Sequence, residues 1–181
     1  MNKVMFSSIS KKFVMACAGL FLLAFLPVHL IINLMLLKTD PAPFNEAAHF
    51  MATFPVVKIV EVVLMAAILI HIGWGIFLQI QNWLARPVGY AGGEKSNTSF
   101  FSKFMIWTGA SVFTFLALHF FNFYFLKLGL VPGSPENNSE NFYLVAHNLF
   151  KIPAYNYIYL TCFLLLGFHL YHAFSSAFQT L

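Results

Sequence analysis

LLLGFHLYHAF, residues 164–174, places two imidazoles, His169 and His172, inside an apolar run that reaches from Ile152 to Leu181 without one charged side chain. A run of that length and composition is typical of a helix that crosses a lipid bilayer. Burying a polar ring in hydrocarbon costs several kcal/mol unless the ring has a partner. Fold and function therefore both depend on what these histidines bind.

The composition of the 181-residue chain argues against a water-soluble domain. Hydrophobic residues make up 60% and charged residues 9% of the chain, whereas soluble domains carry about 25% charge. The 23 Phe suit lipid-facing and packing surfaces, and the few basic side chains lie at segment ends and not in the patches that bind nucleic acid. The formal charge of +4 therefore bears on membrane topology, and no nucleic-acid partner is expected.

Four apolar runs are each long enough to cross a hydrocarbon core of roughly 30 Å. No segment favours a strand, so we expect an all-α transmembrane helix bundle that forms one domain over residues 1–181. Two connecting loops contain short amphipathic segments, at residues 44–51 and around His147, that favour helices lying at the membrane interface. The predicted spans cover residues 13–37, 56–84, 104–126 and 153–180.

Loop charges predict the orientation. The segment before the first span and the loop after the second together carry six Lys or Arg, and the other two loops carry four. Positive charges favour the cytoplasmic side, so the N-terminus is predicted to be cytoplasmic, and the first span is expected to be permanent because no signal peptide with a cleavage site precedes it. Cys17 and Cys162 are expected to lie too far apart in depth to form a disulfide.

Each span contains a histidine, and counting along the helices places four of them at two levels. His29 and His119 lie at matching depths nearer the outside, and His71 and His169 at matching depths nearer the inside. At 1.5 Å per residue, the levels are about 10 Å apart or slightly more. Two imidazoles facing each other across a bundle are the ligand set of a six-coordinate haem iron, so the pattern predicts two stacked haems. Small residues expected to give a porphyrin backbone clearance are Gly73, Gly75, Gly109, Ala110 and Gly167.

The residues alone leave alternatives open. A membrane histidine also serves in interhelical hydrogen bonds or proton relays, and a small transporter without haem that relays protons through its histidines is one alternative. His172 competes with His169, since residues three apart share much of a helix face. His49 and His147 lie in loops and are poor axial ligands. Covalent haem attachment is not expected, because the chain has no Cys-x-x-Cys-His motif.

Four pieces of the sequence, spread over nearly the whole chain, resemble the dihaem cytochrome b membrane anchor of succinate dehydrogenases and fumarate reductases, the succinate:quinone oxidoreductases. The resemblance is to the single-chain, Bacteroidetes-like type, whose members carry a fifth hydrophobic segment after the region matched by residues 175–181. The pieces are SSI (7–9) with Lys12 and FLPVH (25–29), FNEAAHFM (44–51), QIQN (79–82) with ARP (85–87) and Tyr90, and FH (168–169) with residues 175–181.

The resemblance implies a function. In this family, a flavoprotein subunit oxidises succinate and passes the electrons to an iron-sulfur subunit. The membrane anchor then transfers them through two haem b groups to a quinone, here menaquinone. The family is part of the tricarboxylic acid cycle and of electron transport in the bacterial cytoplasmic membrane, and this chain alone oxidises no succinate. The anchor of a hydrogenase or formate dehydrogenase, another dihaem cytochrome b, is the nearest alternative.

The resemblance also implies the ligands. It assigns His29 and His119 to the iron of the distal haem, and His71 and His169 to that of the proximal haem. It selects His169 over His172 because the family's ligand follows a phenylalanine, here Phe168.

Four charged residues near the ends of the spans have less specific roles. Glu61, near the outer start of the second span, is a candidate for protonating the quinone, or its carboxylate simply reaches the membrane interface. Arg86 either pairs with a haem propionate or sets the topology. Lys11 and Lys12 either pair with haem propionates or set the topology, and the second role is favoured for them.

Overall fold

The computed structural model describes residues 8–85, 105–132 and 141–180, and this part of the chain contains helices and no strand. The expected all-α bundle is confirmed. The helices are α1 (Ser8–Leu34), followed by a 3₁₀ turn (Met35–Leu37), α2 (Ala42–Thr53), α3 (Pro55–Ala85), α4 (Met105–His119), followed by a π-helical segment (Phe120–Tyr124), α5 (Phe125–Lys127), α6 (Phe142–Phe150) and α7 (Pro153–Thr180).

Four helical stretches are long and apolar enough to cross a membrane, each within three residues of its predicted bounds. Apolar side chains cover their outer surface, where Ile59, Leu69 and Leu164 are each about 70% exposed. Such exposure suits contact with lipid and would be costly in water. The four stretches are Ser10–Leu37, Pro55–Leu84, Met105–Lys127 and Pro153–Phe178.

Local sequence explains where several helices begin and end. The first turns of α3 and α7 contain Pro55 and Pro153, a position where proline loses no helical hydrogen bond. Asp40 accepts a hydrogen bond from the Ala42 amide at 3.0 Å and so stabilises the start of α2. Two residues after the third span ends at Lys127, Gly129 has a φ of 69°, a backbone conformation that favours glycine and terminates the helix.

The four long helices pack in the order α3, α1, α7, α4: α1 contacts α3 and α7, and α4 contacts α7. In this arrangement α1 lies diagonally opposite α4, and α3 lies diagonally opposite α7. Lys11 at the start of α1 meets Gln81 at the end of α3, where the ammonium donates to the amide oxygen at 2.9 Å. Helices α1 and α3 are therefore antiparallel, and diagonal helices run in the same direction.

The two short helices predicted from the amphipathic segments both form, and they pack against each other at one end of the bundle. Asn45 on α2 donates to the side chain of Asn141 at 3.1 Å and accepts from the backbone amide of Tyr143 at 3.2 Å. The Tyr143 hydroxyl donates to the Lys38 carbonyl at 2.7 Å. We call this end, with α2 and α6, the capped end, and the opposite end, where α1 begins, the terminal end.

An ion pair joins the second and third spans near the capped end. Glu61 on α3 meets the Lys127 ammonium at 2.8 Å, and its other carboxylate oxygen lies 3.4 Å from Lys58. The side chains of Glu61 and Lys127 are only 17% and 26% exposed. Because charges attract more strongly where little water reaches them, the contact ties these two helices together.

Candidate functional site

The structure brings the four predicted histidines together as two pairs of facing rings. The ring centroids of His29 on α1 and His119 on α4 are 5.7 Å apart, and those of His71 on α3 and His169 on α7 are 6.4 Å apart. Each pair joins two diagonally opposite helices across the bundle interior. We call the first the capped pair and the second the terminal pair, after the nearer end of the bundle.

The spacing of both pairs fits one metal ion between the two rings. Imidazole nitrogens bind metals at about 2 Å, and each ring centroid lies about 1 Å behind its nitrogen, so centroids about 6 Å apart suit a shared ion. The ring planes cross at 83° in the capped pair and 87° in the terminal pair. Nδ1 of His71 and of His119 is buried without a hydrogen-bond partner in the described part, so neither ring is held by a hydrogen bond at that atom.

Each pair supplies only two nitrogen ligands. In the described ranges, no group of three or more His, Cys, Asp or Glu side chains is arranged to hold a metal ion by itself. An iron at either pair would therefore take its other ligands from a cofactor. The four nitrogens of a porphyrin complete the six-coordinate set that two axial histidines begin.

Two glycines lie against the terminal pair. A β carbon at Gly19 would lie 3.5 Å from Cε1 of His71, and one at Gly109 would lie 3.5 Å from Cε1 of His169. Gly19 precedes His29 by ten residues, and Gly109 precedes His119 by the same number. Ten residues of helix rise about 15 Å along each backbone, so the two pairs lie at different levels of the bundle.

Most of the small residues expected beside the rings do not contact a paired ring, and their role in giving a porphyrin clearance stays a prediction. Gly73 and Gly167 have nothing within 4 Å of a β carbon position. Gly73 lies two residues after His71, and Gly167 lies two residues before His169. Two residues correspond to about 200° around a helix, so each glycine lies on the face opposite its histidine. A β carbon at Gly75 would lie 3.4 Å from Cε of Met15 and not beside a histidine ring. Ala110 is exposed. Of the expected set, Gly109 alone contacts a paired ring.

The sequence interpretation missed Gly19, although a signal for it exists in the chain. The ten-residue spacing from glycine to histidine occurs on both diagonal helices, α1 and α4, and a search for repeated spacings would have found it. It also missed Thr108, whose hydroxyl lies 3.3 Å from Nδ1 of His169. That contact depends on which faces of α4 and α7 meet, which spacing alone does not give.

Aromatic rings surround the capped pair. The ring of His119 lies within 6.5 Å of Phe115, Phe123 and Tyr159, measured between centroids, and Phe25 lies 5.1 Å from His29. These side chains exclude water from the space around the pair.

The π-helical segment Phe120–Tyr124 begins directly after His119, and interruptions of this kind are frequent at functional sites. Within it, Asn122 donates to the Tyr159 hydroxyl at 3.3 Å and so ties the segment to α7.

The other predicted residues lie outside the two pairs. Arg86 falls outside the described residues. Glu61 takes part in the ion pair with Lys127, a contact that neither sequence interpretation of it included. His169, and not His172, is the ring that faces His71.

The two loop histidines also lie apart from the pairs. His49 is exposed. His147 stacks on Tyr143 at 4.1 Å between centroids and bonds through Nε2 to the Leu36 carbonyl at 3.1 Å, so it contributes to the capped end.

The fold and the histidine pairs describe a class: a helical protein with four candidate membrane spans and two facing imidazole pairs at different depths. Scans against protein-family models, curated proteins and solved structures give no match to this chain.

Proposed function

We propose that this chain is a dihaem cytochrome b that serves as the membrane anchor and electron-transfer subunit of a succinate:quinone oxidoreductase. The observation that carries the cytochrome proposal is the pair of diagonal imidazole contacts, at 5.7 and 6.4 Å between centroids. One such contact has the spacing of an interhelical packing pair. Two such contacts, which together use four different helices and lie at two levels, match the axial ligand sets of two haems.

In this proposal, His29 and His119 hold the iron of the distal haem, and His71 and His169 hold that of the proximal haem. A bound haem b supplies reversible one-electron chemistry, which the side chains of this bundle lack. The protein orients the imidazoles, keeps space beside the terminal pair with Gly19, and excludes water with apolar helices. These are the means by which a bundle fixes haem position and potential.

The assignment to succinate oxidation rests on the sequence resemblance. One of its four pieces, residues 44–51, forms most of α2, and Asn45 within it makes the hydrogen bonds that hold α6. The partners in this proposal are a flavoprotein subunit and an iron-sulfur subunit docked at the terminal end, which would face the cytoplasm of a bacterial inner membrane. The electron acceptor is a quinone, menaquinone in particular.

Glu61 remains the candidate for quinone protonation within this proposal. Among the residues that the structure describes, it is the only acidic one inside a candidate span, and its ion pair with Lys127 accounts for its burial without a quinone. Glu61→Gln should keep both haems and lose quinone reduction by the assembled complex. Unchanged quinone reduction would limit the carboxylate to its structural role.

Optical spectra of the purified full chain test the cytochrome proposal. Reduced-minus-oxidised spectra should show b-type bands, with two haems per polypeptide. His29→Leu and His71→Leu should each remove one haem and retain the other, while His172→Leu should retain both. Absence of b-type bands in the wild type would refute every cytochrome assignment and leave the proton-relay alternative.

Purification of the complex tests the succinate assignment separately. A tag on this chain should retain a flavoprotein and an iron-sulfur protein from the native membrane, and the mixture should reduce a quinone with succinate as donor. Retention of a hydrogenase or formate dehydrogenase instead would keep the dihaem class and overturn the assignment to succinate.

A further inference from the structure

Thr108 on α4 has a defined hydrogen-bond arrangement at the terminal pair. Its hydroxyl donates to the Met105 carbonyl at 3.0 Å and lies 3.3 Å from Nδ1 of His169. A hydroxyl has one hydrogen to donate. Because that hydrogen bonds to the Met105 carbonyl, the hydroxyl oxygen accepts from Nδ1–H of His169. The ring is then held as the tautomer whose Nε2 carries a free lone pair.

The other ring of the terminal pair has no such partner in the described residues. Nδ1 of His71 is buried and unbonded, although Gly19 lies against its ring much as Gly109 lies against that of His169. The residue before Gly19 is Ala18, which has no hydroxyl, whereas the residue before Gly109 is Thr108. The two rings thus have similar packing and different hydrogen bonding.

We propose that Thr108 is a positioning residue that fixes the tautomer of His169 and makes it the stronger donor of the two axial ligands at the terminal pair. This inference rests on the proposed haem function. A hydrogen bond accepted from Nδ1–H increases the basicity of the imidazole and its donation to a bound metal. A stronger donor stabilises ferric over ferrous iron, so the contact lowers the reduction potential of the haem at this pair.

The test replaces the hydroxyl in the full chain and follows a redox titration monitored by absorbance. Thr108→Val keeps the shape of the side chain, Thr108→Ala avoids any crowding, and Thr108→Ser keeps the hydroxyl. Thr114→Val is the matched control, since the Thr114 hydroxyl also bonds to a carbonyl of its own helix, that of Ala110 at 3.0 Å, on an exposed face. The titration wave that disappears in His71→Leu identifies the haem of the terminal pair.

In Thr108→Val and Thr108→Ala, the ferric-to-ferrous ratio of that haem at a fixed potential should fall by more than two-fold and by up to about five-fold, because the full equilibrium factor of one ordinary hydrogen bond is the upper limit for a bond present in both oxidation states. The second haem should titrate unchanged. Thr108→Ser should restore the wild-type ratio to within about two-fold, and Thr114→Val should match the wild type. The low-spin ferric electron paramagnetic resonance signal of the same haem should shift in the two variants without a hydroxyl.

Two results would overturn the inference, and one would support it. Unchanged titrations in Thr108→Val and Thr108→Ala, with both haems bound, would show that the hydroxyl has no electronic role. Loss of the terminal haem in both, but not in Thr108→Ser, would support a positioning role. Loss in Thr108→Ala and Thr108→Ser, but not in Thr108→Val, would show that side-chain volume, and not the hydroxyl, keeps the haem in place. A wild-type chain without b-type bands would defeat the proposed function itself, a result distinct from any of these.

Discussion

In the proposed dihaem cytochrome, replacing Gly19 with valine should remove the haem of the terminal pair and leave that of the capped pair in place. A β carbon at position 19 would lie 3.5 Å from Cε1 and 3.7 Å from Nδ1 of His71, which is ordinary van der Waals contact. Gly19→Ala should therefore keep both haems. Valine adds two methyl groups about 1.5 Å beyond that carbon, and its stiff χ1 prevents them from swinging away.

The size of the effect follows from the cost of overpacking. Forcing extra methyl groups into a packed contact typically costs about 1–3 kcal/mol, which corresponds to a roughly 5- to 150-fold shift against the ligating position of His71. The haem-to-protein ratio should fall from two toward one in absorption spectra of the purified chain. Gly19→Ala should also be more stable to heat than the wild type, because alanine favours a helix over glycine by about 1 kcal/mol.

Gly73→Val is the matched control for this prediction. Gly73 lies on α3, two residues from His71, and a β carbon there has nothing within 4 Å. The variant therefore introduces the same β-branched residue near the same ligand without crowding its ring. Two haems with unchanged spectra in Gly19→Val, or equal haem loss in Gly73→Val, would refute the reasoning.

Further predictions concern the contacts between helices, measured as the free energy of unfolding in detergent. Lys127→Met leaves Glu61 without its 2.8 Å partner and should lower the free energy of unfolding by about 1–3 kcal/mol. Lys58→Met changes a side chain that is 49% exposed and should lower it by less than about 1 kcal/mol. Equal losses in the two variants would contradict this prediction. Asn45→Ala removes two hydrogen bonds between α2 and α6 and should cost about 1–3 kcal/mol. Thr53→Ala, which removes a bond within α2 only, should cost clearly less.

Counting residues predicted the helices and the histidine pairing because depth in a bundle depends on position along the chain. Apolar run lengths gave the spans, and distances from the charged ends gave two levels. Direction around the helix axis is different, since it depends on how neighbouring helices rotate to pack. Gly73 is close to His71 in sequence and turned away from it in space, while Gly19 is distant in sequence and in contact with its ring.

The contacts of Thr108 and Glu61 could not be predicted for the same reason. Each side chain meets a partner on another helix, Thr108 with His169 and Glu61 with Lys127, more than sixty residues along the chain. A single sequence provides no measure of which distant faces meet. The π-helical segment after His119 likewise escaped prediction, because the shift from i+4 to i+5 bonding leaves the apolar pattern of a membrane span unchanged.

The repeated glycine-to-histidine spacing shows how the site is divided between two halves of the chain. Helix α1 contributes His29 to the capped pair and Gly19 to the terminal pair, and α4 contributes His119 and Gly109 in the same way. Helices α3 and α7 then each supply one ring of the terminal pair. Each pair therefore takes one ring from residues 8–85 and one from residues 105–180, so neither half contains both rings of a pair.

Such a symmetric arrangement would give the two rings of a pair the same surroundings. At the terminal pair the symmetry is broken one residue before each glycine, where α1 has Ala18 and α4 has Thr108. The alanine leaves Nδ1 of His71 without a partner, whereas the threonine hydroxyl meets Nδ1 of His169. A change of one side chain between matched positions therefore gives the two rings of one pair different hydrogen bonding, while a glycine packs against each of them in a similar way.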